Sequence, residues 1–220
     1  MAFQPMPLSR RPAPFDHPEW LFELKYDGFR SLCVIQNGRT ELISRNGNSF
    51  NSFETLRKQL KSPYAGKTVL DGEIVCLDKR GKPQFRDLLF HRGEPCYFAF
   101  DLLINNGKDL RTEKLTDRKQ ELRRLLSKVS ASRMRYADHV EQYGTALFEW
   151  VCKLDLEGIV AKHIHGNYVT QYERTTWFKI KNRNYSQMQG REELFERERH
   201  QEPVAGWHSC ELACADLEKA

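Results

Sequence analysis

Apolar and polar residues alternate along much of the first half of the chain, and this two-residue period predicts strands. The alternating segments are FELKY, FRSLCVIQ and RTELIS, separated by Asp27-Gly28 and by Asn37-Gly38. An Asn-Gly pair between two such segments is a strong hairpin signal. We therefore predict a meander of antiparallel strands that carries Lys25 close to a turn.

The first of these segments places its charged residues together. With a side-chain period of two, Glu23 and Lys25 share one strand face, whereas Phe22, Leu24 and Tyr26 share the other. The charged face is therefore expected to look into water or into a cleft.

Helical and strand patterns are mixed along the remainder of the chain. Asn51 and Glu54 resemble a capping box, which predicts a helix through about Lys61 that Pro63 stops. A short helix is expected near residues 85–90, and helical spacing also appears in LTDRKQELRRLLSKV and EQYGTALFEWVCKLD. Further strand candidates are TVLDGEIVCLD, CYFAFDLLI, GIVAKHI and TTWFKIKN. This order indicates an α+β fold with mainly antiparallel sheets.

Composition is that of a globular protein. The chain has 220 residues, of which 40% are hydrophobic, enough for one large domain or two small lobes with a packed core. Its net charge of +5 is compatible with a polyanionic partner without identifying one. No apolar run approaches the roughly 18 residues of a membrane span, and prolines interrupt the N-terminal region where a signal sequence would be apolar. We expect a cytoplasmic protein, nucleoid-associated if prokaryotic, with no membrane partner.

The character of the chain changes beyond Asn182. The C-terminal residues are strongly charged, and Leu194 and Phe195 form a lone apolar pair on a predicted helix. We therefore assign residues 1–182 to the main domain and residues 183–220 to a charged helical extension. A solvated helix is the preferred interpretation, and a surface that touches DNA or a partner is the alternative.

The six cysteines show no C-x-x-C spacing, and four lie inside apolar runs, so buried free thiols are expected. His208, Cys210 and Cys214 could together ligate a metal, but a closed structural zinc site needs one ligand more. A plain helical tail is preferred over zinc there.

Charged residues recur inside or beside the apolar strand candidates. They are Asp71 and Glu73 in VLDGEIV, Glu157 and Lys162 at the two ends of EGIVAK, and Lys179 and Lys181 in WFKIK. Each alone could be an edge charge that discourages aggregation. Together they suggest that several strands contribute charges to one shared cleft.

This inventory suits a nucleoside triphosphate. A lysine attacks as a nucleophile only when its amine is neutral, a form that burial or neighbouring cations favour. Arg30 and the later lysines could supply those cations and also bind phosphates. Glu73 and Glu157 could bind ribose hydroxyls or Mg²⁺. Neither G-x-x-x-x-G-K-[ST] nor G-x-G-x-x-G occurs, so a helix-capped phosphate site is not supported.

An ordered series of motifs carries a family resemblance. Residues 25–30, KYDGFR, resemble the K-x-D-G-x-R motif of the covalent nucleotidyltransferases. The later motifs of ATP-dependent DNA ligases are resembled by SRNG at 44–47, DGEIV at 71–75, FAFDLL at 98–103, EGIVAK at 157–162 and WFKIK at 177–181. The resemblance spans residues 15–182. It implies the adenylation-domain fold, with a nucleotide cleft between antiparallel sheets.

The resemblance also implies roles around the nucleotide. Lys25 would attack the α-phosphorus of ATP and hold AMP through a phosphoramidate, with Asp27 in the same catalytic motif. Glu23 would lie beside the adenine, and Phe100 would stack on it, a contact worth roughly 1–3 kcal/mol. Arg30 would contact the ribose.

Further implied roles concern ribose, metal, phosphates and DNA. Glu73 would also contact the ribose, and Glu157, together with Glu73, would hold Mg²⁺. Arg45 would lie near the 5′-phosphate of a nick in duplex DNA. Three lysines would bind the phosphates: Lys162, Lys179 and Lys181.

For three of these residues the sequence alone also allows a purely structural interpretation. Phe100 would be a core strand residue, and Arg45 a turn residue. The ordered motifs favour site roles for both. Asp27 could be only a turn former with Gly28, and that alternative stays open.

The sequence departs from the family in one respect. DNA ligases of this type carry an oligonucleotide-binding barrel after the WFKIK motif, but the 39 residues after Lys181 contain no five-strand pattern. We therefore expect that the barrel is absent and that a protein partner could supply its clamp. The 24 residues before Lys25 are too few for the extra domain of NAD-dependent ligases, which favours ATP as AMP donor.

Three functional hypotheses follow. The leading one is a minimal ATP-dependent DNA ligase that seals nicks between a 5′-phosphate and a 3′-hydroxyl. The second is an RNA ligase or a capping-type guanylyltransferase, which shares the lysine motif. The third is a nick-binding module without catalysis.

Overall fold

Two β-sheets face each other in the computed structural model, which describes residues 4–129 and 133–188. In chain order the strands are β1 (Ser9–Arg10), β2 (Asp16–Leu24), β3 (Phe29–Gln36), β4 (Arg39–Ser44), β5 (Thr68–Cys76), β6 (Pro95–Asn105), β7 (Lys108–Asp109), β8 (Met134–Tyr136), β9 (His139–Tyr143), β10 (Gly158–His163) and β11 (Trp177–Lys181). The α-helices are α1 (Glu54–Gln59), α2 (Phe85–Leu89), α3 (Leu115–Ser127) and α4 (Gly144–Lys153). Short 3₁₀ helices span Asn51–Phe53, Tyr172–Arg174 and Ser186–Met188.

The first sheet has the strand order β1-β11-β10-β2-β9. The second has the order β4-β3-β5-β6-β7, and β8 pairs with β6 outside that path. The pairs β1–β11 and β6–β8 are parallel, and the other pairs of named strands are antiparallel. This confirms the predicted α+β class with mainly antiparallel sheets.

Helices cover the outer faces of the two sheets. On the first sheet, Val151 of α4 packs against Phe22 and Ile180 in a buried cluster. On the second sheet, Leu56 of α1 and Leu122 of α3 join a larger buried cluster. The inner faces meet each other through a third cluster, which contains Leu21 and Trp177 of the first sheet and Leu32 and Val69 of the second. The cleft of interest lies between these inner faces.

The two-residue strand period explains which side chains reach the cleft. On β10, Ile159 and Ala161 pack outward against α4, so that Val160 and Lys162 point inward. On β2, Phe22 points outward and Glu23 inward by the same alternation. The charged face predicted for this strand therefore looks into a cleft rather than into water.

The predicted meander is only half right. The Asn37-Gly38 hairpin is confirmed, because β3 and β4 pair antiparallel and both turn residues have positive φ, 52° and 71°. Asp27-Gly28, however, is not a hairpin, because β2 and β3 belong to different sheets. At this crossing a Cβ on Gly28 would lie 2.1 Å from the Ile74 carbonyl oxygen, so only glycine allows the close approach.

Two helix starts differ from the prediction. The capping box at Asn51 and Glu54 is wrong, because Asn51 lies within a 3₁₀ helix and the helix start has no side-chain cap hydrogen bond. Helix α1 also ends at Gln59 rather than near Lys61. The second difference concerns α4, which begins at Gly144 because the residues before it pair with β2 instead.

Cys33, Cys76 and Cys96 are buried free thiols, as predicted. Cys152 is free but exposed, because α4 turns the preceding Val151 toward the sheet. The zinc and helix interpretations of the C-terminal tail, with Cys210 and Cys214, fall outside the described residues.

One compact unit ends at Tyr185, and a second begins at Ser186, of which residues 186–188 are described. The proposed boundary at residue 182 stays a prediction. Within residues 4–129 and 133–188, no helix has both the length and the apolar character needed to cross a membrane.

Candidate functional site

Lys25 stands where the chain leaves the first sheet, immediately after β2. Its backbone N–H donates to the Gly158 carbonyl at 2.9 Å, which ties it to the start of β10. Its Nζ lies 2.6 Å from Oε1 of Glu157, and the two side chains are 19% and 6% exposed. Gly158 has φ +151°, and a Cβ there would lie 2.2 Å from the Ile180 carbonyl oxygen. Glycine at this position therefore lets Glu157 lie beside Lys25.

Glu23 is a buried carboxylate, 2% exposed, that lies between two ammonium groups. Oε1 accepts a hydrogen bond from Lys119 Nζ at 2.5 Å, and Oε2 lies 2.6 Å from Lys162 Nζ. Lys119 also donates to the Ala137 carbonyl at 3.0 Å. Lys119 was not among the predicted site residues, because a lysine on a charged helix has no local signal of burial.

Lys162 occupies an aromatic niche. Its Nζ lies 3.9 Å from the Trp177 ring centroid and 4.3 Å from that of Phe100. Its approach to Glu23 is an ion pair without the alignment of a good hydrogen bond. Burial lowers the pKa of Lys162 to about 8, with Glu23 acting in the opposite direction. The predicted contact of Lys162 with phosphates stays a prediction.

Arg30 is held rigidly on β3. Its Nε and Nη2 donate to the two oxygens of Asp71 at 3.1 and 2.7 Å, a bidentate pair. Tyr168 donates its hydroxyl to the same carboxylate at 2.7 Å. The guanidinium carbon lies 5.6 Å from the ring centroids of both Phe100 and Trp177. Asp71 and Tyr168 thus orient a predicted site residue, although neither was assigned a role of its own.

Phe100 is half-buried, and its ring meets that of Trp177 edge to face at a centroid distance of 5.9 Å. These rings form one wall of the cleft. The complete lining is Leu8, Glu23, Leu24, Lys25, Tyr26, Arg30, Glu73, Phe100, Val160, Lys162 and Trp177. Five of the predicted nucleotide-contacting residues and Lys25 therefore share one cleft, and the adenine stacking on Phe100 stays a prediction.

Glu73 lies opposite Arg30 in the antiparallel pairing of β3 and β5. Burial raises its pKa to about 8, and the nearby carboxylates of Glu157 and Asp71 act in the same direction, whereas Lys25 and Arg30 oppose them. Glu73 lines the cleft, and Glu157 is paired with Lys25 of the same cleft. Among the described residues no group of three or more His, Cys, Asp or Glu could hold a metal ion. Mg²⁺ commonly takes one or two carboxylates and completes its shell with water and substrate phosphates, which fits this pair.

Basic side chains gather beside the cleft. The pKa of half-buried Lys179 is lowered by burial first, and then by Lys181, Lys25, Arg45 and Arg10. Arg10 pairs with Lys179 between β1 and β11, and Lys181 lies two residues further along β11. Lys181 and Arg45 are exposed, Arg45 on the turn after β4. We call Arg10, Arg45, Lys179 and Lys181 the basic group; it can bind phosphates and release counterions.

Asp27 is not among the residues that line the cleft. It is buried and accepts a hydrogen bond from the Tyr185 hydroxyl at 2.8 Å. This contact joins the crossing between the sheets to the end of the compact unit. A catalytic role for Asp27 stays a prediction.

Comparison with known proteins places the whole arrangement in one family. The family model for the ATP dependent DNA ligase domain matches residues 11–181. The multifunctional non-homologous end joining protein LigD of Pseudomonas aeruginosa is 33% identical over 169 residues, which are 74% of this chain and 20% of that protein. The bifunctional non-homologous end joining protein LigD of Bacillus subtilis is 34% identical over 220 residues, which cover 83% of this chain and 34% of that protein. The chain thus spans between a fifth and about a third of the length of these relatives.

Solved structures show the same fold. A mycobacterial DNA ligase D complexed with ATP and MES superposes with a TM-score of 0.71 at 28% identity, over 81% of this chain and 60% of that one. The ligase domain of LigD from M. tuberculosis gives a TM-score of 0.71 at 27% identity, over 81% of this chain and 59% of that one. The adenylation-domain fold that the motifs implied is confirmed, and the chain belongs to the ATP-dependent DNA ligase domain family.

Proposed function

We propose that this chain transfers AMP from ATP to Lys25 and passes it to the 5′-phosphate of a nick in duplex DNA, which is then joined to the 3′-hydroxyl. The observation that carries the proposal is the position of Lys25. Its amine is partly accessible and lines the cleft that also holds the aromatic niche, and its charge acts on Lys179 of the basic group. A nucleotide with its base in the niche and its phosphates at the basic group would present its α-phosphorus to this amine.

The first chemical step is nucleophilic substitution at phosphorus. Lys25 gives up a proton, its nitrogen forms a bond to the α-phosphorus, and the bond from that phosphorus to the bridging oxygen breaks as pyrophosphate leaves. The 5′-phosphate of the nick then displaces the lysine nitrogen and takes the AMP. Attack of the 3′-hydroxyl on the same 5′-phosphate finally releases AMP and seals the strand.

The positions of the surrounding side chains support further roles within this proposal. Phe100 offers a ring to the base, and Arg30, held by Asp71, faces the same space beside Glu73. Lys179 and Lys181 would stabilise the negative charge that develops on the phosphates. Mg²⁺ held by Glu157 and Glu73 would neutralise phosphate charge and orient pyrophosphate for departure.

The biological setting is a second part of the proposal. The relatives reported above are named as non-homologous end joining proteins, so we propose a role in sealing breaks during DNA repair. An oligonucleotide-binding clamp, supplied by a protein partner, would complete the grip on duplex DNA.

A coupled labelling experiment tests this function. The protein is incubated with α-labelled ATP or GTP, and then with a nicked DNA duplex or a nicked RNA duplex of the same sequence. We expect ATP, but not GTP, to label the protein. The label should then move to the 5′ end of the DNA. Labelling by GTP, or transfer to RNA only, would favour the RNA ligase or capping-type alternative. If the protein binds nicked DNA but never carries a covalent label, the hypothesis of a nick-binding module without catalysis would be favoured.

A further inference from the structure

Helix α3 delivers a lysine to the back of the nucleotide cleft. Lys119 is buried, 3% exposed, and is not among the residues that line the cleft. Its Nζ nevertheless lies 2.5 Å from Glu23, which does line the cleft, and it is fixed by a second hydrogen bond to the Ala137 carbonyl. The Tyr136 ring lies 4.5 Å from the same ammonium. Lys119 can therefore act on a ligand only through Glu23.

The helix that carries Lys119 is itself anchored. The neighbouring Arg118 forms a fully buried bidentate pair with Asp101 of β6, with both distances 2.8 Å. It also donates to the carbonyls of Glu113 and Gly166. These bonds fix α3 to β6 and to the loop after β10, so that Lys119 meets Glu23 in a defined geometry.

The two ammonium partners of Glu23 are not equivalent. Lys119 makes an aligned hydrogen bond from behind the cleft, whereas Lys162 lies inside the cleft between two ring faces, without an aligned hydrogen bond. A base that stacks on the Phe100 face next to Lys162 would displace Lys162 from the ring. Glu23 would then keep Lys119 as its counterion, so the buried carboxylate is never left unpaired.

We propose that Lys119 is a positioning residue that fixes the Glu23 carboxylate to accept a hydrogen bond from the 6-amino group of an adenine base. The inference rests on the proposed function and adds the origin of base preference to it. An ionised carboxylate only accepts hydrogen bonds. Adenine presents an amino group at the ring position where guanine presents a carbonyl oxygen, so a fixed carboxylate favours adenine and repels guanine.

The test measures the kinetics of covalent nucleotide transfer to the protein, from ATP and from GTP, for matched variants. Lys119→Met removes the charge at similar length, Lys119→Arg retains it, and Arg124→Met is the control, because Arg124 is exposed on the same helix. We expect Lys119→Met to raise the KM for ATP by roughly 10- to 100-fold, the usual effect of losing a hydrogen bond to a charged group. The kcat should change little, the ATP to GTP preference should fall similarly, and Lys119→Arg should restore both.

A double-mutant cycle separates positioning from a purely structural role. If Lys119 acts through Glu23, then Glu23→Gln combined with Lys119→Met should be no worse than Glu23→Gln alone. Additive losses, or wild-type KM and base preference in Lys119→Met, would overturn the inference. Should Lys119→Met melt below the assay temperature, Lys119→Gln, which keeps a donor for Ala137, takes its place with the same expectations.

A further measurement distinguishes failure of the Lys119 inference from failure of the proposed function. Calorimetric titration with ATP in the absence of Mg²⁺ measures nucleotide binding without the covalent step. A wild-type protein that binds ATP but never becomes labelled refutes the proposed chemistry, while the ATP affinities of the Lys119 variants still decide the role of Lys119. Failure of the wild-type protein to bind ATP overturns both.

Discussion

The amine of Lys25 and the carboxylate of Glu157 form an ion pair across the ends of β2 and β10, with Nζ 2.6 Å from Oε1. The ion pair holds the amine against Glu157, whereas attack on phosphorus requires a nitrogen lone pair directed at the nucleotide. The pair must therefore open before the reaction. Glu157 would release Lys25 if it became a ligand of a divalent cation instead.

The first prediction concerns the metal dependence of Glu157. Replacement by alanine should raise the Mg²⁺ concentration needed for half-maximal self-adenylation, because Mg²⁺ would lose one of its few protein ligands. Titration of Mg²⁺ at saturating ATP checks this, with Glu149→Ala, on the exposed face of α4, as control. An unchanged Mg²⁺ requirement in Glu157→Ala would remove Glu157 from the metal site.

The second prediction follows from the raised pKa of Glu73, about 8, which arises chiefly from burial. Between roughly pH 4.3 and pH 8, this group is ionised in the unfolded chain but protonated in the folded one. The unfolded state therefore binds fewer protons, and the contribution of Glu73 to stability falls as the pH rises through this window. Above about pH 8 the loss is complete and constant.

Glu73→Gln removes this titration. The free energy of unfolding of the variant, relative to wild type, should increase from pH 5 to pH 8 and then stay level. Urea unfolding at a series of pH values measures it, with the exposed Glu149→Gln as control. A difference between Glu73→Gln and wild type that does not vary with pH would show that Glu73 is ionised throughout.

The third prediction concerns the crossing between the two sheets. Gly28→Ala places a Cβ against the Ile74 carbonyl oxygen, so β3 must shift away from β5. We expect a loss of about 1–3 kcal/mol in stability and a large loss of adenylation, because Lys25 and Arg30 flank the crossing. Gly81→Ala is the control: its φ of +80° is also unfavourable, but nothing lies within 4 Å of its Cβ. Full adenylation by folded Gly28→Ala would show that the crossing does not position the site.

The fourth prediction concerns DNA. Binding to a nicked duplex should be weak and steeply salt-dependent, because it rests on phosphate neutralisation by the basic group. Arg45→Ala should reduce the slope of log K against log salt by about 1, with little sequence dependence. Arg124→Ala, exposed on α3, should leave the slope unchanged. Equal slopes for Arg45→Ala and wild type would place Arg45 outside the DNA contact.

Local patterns account for the parts of the fold that were predictable. Asn37 and Gly38 specify their hairpin through φ angles that these two residues tolerate better than others. Likewise, the alternation in the long strands reflects burial of one face, so it is visible in the sequence. The ordered motifs placed Lys25 and Glu157 in one site, and the structure brings them together.

Long-range partners account for what was missed. Lys119 and Glu23 are separated by 96 positions, and nothing near either residue indicates the contact. Asp27-Gly28 has the composition of a tight turn, but β2 and β3 pair with strands of different sheets. These pairings depend on residues far away in the sequence. The first residues of the predicted α4 pair with β2 for the same reason, since tertiary pairing overrides local helical spacing.

The central claim is that Lys25 carries AMP, and mapping the covalent adduct tests it most directly. After incubation with ATP and Mg²⁺, mass spectrometry of the digested protein locates the adenylate, and the intact adduct is exposed to acid and to base. Lys25→Met is compared with Lys153→Met, a lysine exposed on α4 outside the cleft. We predict one AMP on Lys25, released by acid and resistant to base, absent in Lys25→Met and unchanged in Lys153→Met. An adduct that persists in Lys25→Met, or one that base releases, would contradict the account.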